Sequence, residues 1–157
     1  MKKLNYTDRV RTLKKLRRAL EEQRDAFRSY LVILGEQEQA IMESDAEELE
    51  RSVELERTIL RDILRVQRVV EPLASLYRNI GVAEARDIEG LEGSLTRLQG
   101  QVLRRNYENR RLLSEHVEHL RAEVHRLRMP NARAILEAGG TGAAAEETEA
   151  SLIDLTA

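Results

Sequence analysis

Tyr6, Leu13, Leu20, Phe27, Leu34 and Ile41 recur at strict seven-residue spacing, with Val10, Leu16 and Leu31 between them. Seven residues are close to two turns of α-helix, so the repeat draws one apolar seam along a helix. A seam that long needs a second helix to cover it. The repeat predicts a first helix over roughly residues 5–42. The intermediate d-type positions Arg17, Arg24 and Glu38 are charged, which predicts a bundle or helical hairpin in place of a fibrous coil. Gly35 falls inside this helix, where it costs about 1 kcal/mol relative to alanine.

The chain reverses at 42–47, MESDAE. Ser44 and Glu47 have the spacing of a capping box, in which the hydroxyl meets the Glu47 N–H and the carboxylate reaches back. Asp45 and Glu48 suit the positive end of the new helix. Leu49, Val53, Leu60, Ile63, Val66 and Val70 carry the second helix to Glu71. There Pro72 disfavours helical geometry in the residue before it, so a stop or kink is expected. So short a connection makes the two helices an antiparallel hairpin. Pro72 then suits the first position of a short helix with Leu73, Leu76, Tyr77 and Ile80 on one face and Gly81 as its cap.

A third long helix is expected to start between residues 83 and 88 and to run to about 128. Ile88, Leu91, Leu95, Leu98 and Val102 begin its stripe; Leu113, Val117, Leu120, Val124 and Leu127 continue it. Gly90, Gly93 and Gly100 lie roughly opposite and soften the first half by about 3 kcal/mol in total. Asn106, Asn109 and His116 fall on the apolar face at about 100° per residue. A polar side chain in a seam is costly unless paired, and its usual return is register or partner specificity. Two readings follow: Asn106 and Asn109 hydrogen-bond to a neighbouring helix, or that part of the helix is wet. The fold class is therefore all-α: an antiparallel long-helix hairpin, a short helix and a third long helix in a coiled-coil-like helical bundle. Residues 1–130 form the helical domain and 131–157 a flexible acidic tail, whose AGGTGAAAEETEA stretch has no apolar periodicity.

Composition agrees with long helices. Charged residues make up 34% of the 157, aromatics 3%, and there are two prolines and no Trp. With no Cys, disulfides and thiolate metal sites are excluded. No apolar run reaches the roughly 18 residues of a membrane span and no signal peptide opens the chain, so a cytoplasmic protein is expected. Lys2, Lys3, Arg9, Arg11, Lys14, Lys15, Arg17 and Arg18 make the start basic, whereas 36–56 and the tail are acidic.

Residues for chemistry are sparse. His116 and His119 stand one turn apart, a spacing compatible with metal binding. An inward-facing Glu-x-x-His pair is missing, since the residues three before His116, His119 and His125 are Leu113, His116 and Ala122. No phosphate-binding glycine loop or nucleophile setting occurs. Arg104, Arg105, Arg110, Arg111, Arg121, Arg126 and Arg128 are interrupted by Glu108, Glu115, Glu118 and Glu123, with Tyr107 as the lone aromatic. That pattern fits a solvated face better than a nucleic-acid surface. No catalytic residue, metal site or cofactor is expected; the chain reads as a binding protein.

The order AIMESDAEELERSVELERTIL, LYRNIGV, LRRNYENRRLLSEHVEHL resembles the FlgN-type flagellar export chaperones. In that family an acidic turn joins the first two helices, a glycine follows a Leu-rich segment, and an Asn-x-x-Asn-x-x-Leu-Leu pattern marks the last helix. Ser44-Asp45, Gly81, and Asn106, Asn109, Leu112 and Leu113 match these elements. The resemblance covers most of 13–127.

It implies a cytoplasmic chaperone for type III secretion that binds amphipathic terminal helices of hook-associated proteins. Such a protein prevents premature assembly and delivers its clients to the flagellar export apparatus. The implied client-binding residues are Asn106, Asn109, Leu112, Leu113, Val117, Leu120, Val124 and Leu127. The family's docking tyrosine has no counterpart after Tyr107, which leaves Leu152, Ile153 and Leu155 as candidates for the export gate. A weak homodimer is compatible with this reading. A self-associating coiled-coil structural or adaptor protein is the alternative.

Overall fold

The computed structural model describes residues 5–78 and 85–137. They form three helices, α1 (Tyr6–Glu43), α2 (Ala46–Arg78) and α3 (Ala85–Glu137), with no strand among the described residues. Two units are distinguished, Met1–Glu118 and His119–Ala157, the division falling within α3. The expected all-α helical bundle is found in the first unit, where Ile63, Val66 and Val70 of α2 and Ile88, Leu95 and Val102 of α3 share one core with the α1 seam.

Along α1, Leu13, Leu20, Phe27, Leu34 and Ile41 are buried, and Tyr6 at the start is exposed. The second seam is not the one expected. Three residues after each repeat position stand Leu16, Gln23, Tyr30 and Gln37, all buried, whereas Arg17 is exposed and Arg24 and Glu38 are half-buried. A three-residue step turns a side chain about 300°, which sets this row about 60° to one side of the seam, the flank that the core covers. The polar members of that row are therefore interior groups, each with a partner.

Cross-links between α1 and α2 fix their direction. Gln37 with Glu56 and Tyr30 with Glu56 are separated by 19 and 26 residues, Gln23 with Gln67 by 44. Separation grows away from the turn, so the helices are antiparallel. Between α1 and α3 it stays between 67 and 76 residues from Glu38–Arg105 to Tyr30–Asn106. A constant separation means parallel helices, and the first unit is an up-down-up bundle.

The hairpin turn differs from the expected capping box by one residue. Ser44 is left-handed at φ 57°, the N–H of Asp45 donates to Ala40 C=O at 2.9 Å, and that of Ser44 donates to Ile41 C=O at 3.2 Å. This is the Schellman closure, with serine where glycine is usual. The α2 cap is Asp45, whose Oδ1 accepts from the Glu48 N–H at 3.0 Å. Ser44 is spent ending α1, so the next side chain with an acceptor oxygen starts α2.

The expected break at Glu71 does not occur, and α2 runs unbroken through Pro72 to Arg78. The proline removes one backbone donor and crowds the carbonyl four residues back. Leu73, Ala74 and Tyr77 pack against the core, and their burial opposes that cost. The predicted short helix is thus the last turns of α2; its Ile80 and Gly81 lie outside the described residues. Likewise α3 passes Pro130 and ends at Glu137. On α2 the inward row uses Ile59 and Ser52, while Leu60 is exposed.

Candidate interaction surfaces

Asn106 and Asn109 are held inside the first unit. Asn109, 4% exposed, donates its Nδ2 to the Leu34 carbonyl at 2.8 Å. Asn106, half-buried, donates to Tyr30 Oη at 2.9 Å. Tyr30 Oη in turn donates to Glu56 Oε1 at 2.6 Å, and Gln37 Nε2 donates to Glu56 Oε2 at 2.6 Å. One polar layer thereby joins all three helices. Burial first, then the hydrogen bond to Glu56 and its charge, push the Tyr30 hydroxyl well above the usual tyrosine range; the Asn106 bond and the Arg110 charge oppose this. Among the described residues no buried side-chain nitrogen or oxygen lacks a partner. Of the two readings of the asparagines, the bond to a neighbouring helix is the one found, and the Asn109 amide is occupied within the bundle.

Leu112, Leu113 and Val117 are half-buried in the same unit. His116, beside them, meets the hairpin turn: its Nε2 lies 2.7 Å from Ser44 Oγ. That contact was invisible in the sequence because it depends on the axial offset of α3. His119 pairs with Glu123 at 3.3 Å, so the two histidines have separate partners. Among the described residues no group of three or more His, Asp or Glu is placed to hold a metal ion.

In the second unit, Leu120, Val124 and Leu127 are 43%, 47% and 72% exposed. Steps of four and three keep them within about 60° of one helix side. They make an apolar stripe open to solvent. Around α3, Arg104 pairs with Glu108 at 3.9 Å and Arg111 with Glu115 at 3.1 Å, the i, i+4 arrangement of a solvated face. Leu152, Ile153 and Leu155 lie outside the described residues. Among the described residues no helix is long and apolar enough to cross a membrane.

No family model matches the chain. A protein of Treponema pallidum (strain Nichols), described as uncharacterized, is 36% identical over 148 residues, covering 94% of this chain and 91% of that protein. No solved structure matches.

Proposed function

We propose that this chain, which belongs to one family with the uncharacterized Treponema pallidum protein, is an export chaperone of the FlgN type. It binds amphipathic terminal helices of hook-associated proteins in the cytoplasm, keeps them from assembling early and hands them to the flagellar export apparatus. The observation that carries the reading is the exposed stripe Leu120, Val124 and Leu127. A client helix laid along it would remove three large aliphatic side chains from water, the helix-in-groove mode of recognition. The binding needs no nucleotide and no covalent step.

Leu112, Leu113 and Val117 are part-covered within the bundle, so the exposed aliphatics are the primary contact and Asn106 and Asn109 act indirectly, by holding α3 in place. The test is co-purification with the terminal helices of a hook-associated protein. Leu120→Asp with Val124→Asp should abolish it while helicity is unchanged, both side chains being exposed. Undiminished capture removes the assignment. A stable oligomer that buries the stripe and ignores the client favours the coiled-coil adaptor.

A further inference from the structure

The outward face of α1 complements itself. At about 100° per residue, Arg11, Lys14 and Arg18 lie on the same side of the helix as Glu36, Gln39 and Glu43. All six are exposed. Thr7, Val10, Arg11, Lys14, Lys15 and Arg18 surround a shallow depression at the cationic end. Arg11 reaches Asp8 at 3.8 Å, but among the described residues Lys14, Lys15 and Arg18 form no ion pair and neither does Glu36. Glu43 accepts a hydrogen bond from Gln39. One end of this α1 face thus carries cations, of which Lys14 and Arg18 are unpaired among the described residues, and the other end carries carboxylates, of which Glu36 is unpaired among them.

We infer that this face is the interface of a reversible antiparallel homodimer, α1 against α1, with its two-fold axis at the level of Phe27. In that register Arg18 stands opposite Glu36 of the second copy and Arg11 opposite its Glu43, and symmetry repeats both pairs. Asp25 falls opposite Ser29 and Glu22 opposite Val32; the two Asp25 carboxylates flank the axis about 6 Å apart in height, each paired with Arg24 and Arg28 of its own helix. A lipid headgroup or a nucleic-acid phosphate would match the cations alone and meet Glu36 and Glu43 on the same face; a second copy satisfies both halves. The face carries little apolar surface beyond Val10 and Val32. Charge therefore sets its orientation and its salt sensitivity, and affinity is modest. Leu120, Val124 and Leu127 take no part, so the dimer stands or falls separately from client binding.

Light scattering of the full chain tests this. At about 50 mM NaCl a dimer should form, and at about 500 mM its Kd should rise at least tenfold. Arg11→Glu with Arg18→Glu should be monomeric, as should Glu36→Arg with Glu43→Arg. Mixing the two double variants should restore a dimer at low salt, and so should all four changes in one chain. These positions are exposed, so helical circular dichroism should persist in every variant. A wild-type chain that is monomeric at low salt overturns the proposal. So does a dimer indifferent to the reversals, failure of the mixture to associate, or retention of the monomer on anionic vesicles.

Discussion

Asn109 Nδ2 donates to the backbone carbonyl of Leu34 across 2.8 Å, with both residues buried. A helical carbonyl already serves the N–H four residues on, so this bond uses its second lone pair. The acceptor belongs to the α1 backbone and its height along the axis is fixed. A slip of half a turn, about 2.7 Å, would pull the amide off this oxygen, whereas a slip of a whole turn would meet the next carbonyl and is opposed by the side-chain partner of Asn106. Asn106, three residues earlier, repeats the constraint through Tyr30 Oη.

Asn109→Ala should therefore lower stability by about 1–3 kcal/mol, because it removes the donor and leaves the site unfilled. Asn109→Asp should cost more, since a carboxylate has no N–H to give and sets its charge against the Leu34 oxygen. Urea unfolding measures both; the midpoint should fall with little change in slope. Equal stabilities for Asp and Asn would show that no register bond is made.

Much of this arrangement is legible in the sequence, and the exceptions all depend on tertiary neighbours. The seven-residue row from Leu13 to Ile41 and the α3 row from Ile88 to Val102 announced themselves by period, because burial selects apolar side chains at helical spacing. Asn106 and Asn109 stood out as polar residues on such a row. Their acceptors did not: one is a backbone oxygen, which every residue owns, and the other is a tyrosine hydroxyl. Gln23, Tyr30 and Gln37 are silent in the sequence for the same reason, since a buried polar side chain reads as surface until its partner is known. Pro72 misled in the opposite sense, local preference yielding to the burial of Leu73, Ala74 and Tyr77. The exposure of Leu120, Val124 and Leu127 was also beyond the sequence, which marks an apolar face without saying whether anything covers it.

Tyr30 gives the bundle an alkaline limit. Its hydroxyl is held well above the usual range by burial and by Glu56. The folded state thus keeps the proton at pH values where the unfolded chain has lost it. Stability from this group is complete below about pH 10 and declines above it, by up to about 1.4 kcal/mol per pH unit. Tyr30→Phe should be less stable at neutral pH, leaving Asn106 and Glu56 each short of a partner, and should lose stability less steeply between about pH 10 and 11. Parallel slopes for the two proteins would place the alkaline sensitivity elsewhere.

Ser44 separates two effects at the hairpin turn. Its left-handed backbone, φ 57°, costs a residue with a Cβ about 1 kcal/mol or more, and glycine is free of that cost. Its hydroxyl also meets His116. Ser44→Ala should lose the hydrogen bond and keep the strain, whereas Ser44→Gly should lose both. Glycine is therefore expected to exceed alanine by about 1 kcal/mol in thermal or urea unfolding. Alanine matching glycine would mean the turn relaxes out of the left-handed region. His116→Ala should weaken the wild type but not the Ser44→Ala background, a double-mutant test of the contact.

The α3 glycines give the opposite sign of effect. A Cβ built at Gly90, Gly93 or Gly100 meets nothing within 4 Å, so none of them admits a close neighbour. Each only widens the unfolded ensemble and loosens the helix, by about 1 kcal/mol relative to alanine. Gly90→Ala, Gly93→Ala and Gly100→Ala together should stabilise the bundle by about 3 kcal/mol and raise Tm by about 6–12 °C. Gly35→Ala, equally open in α1, should add a comparable single increment. The same changes should slow amide hydrogen exchange most in the first half of α3, where all three substitutions fall. A drop in Tm would mean that these positions close against something, and would replace local softness by a packing role.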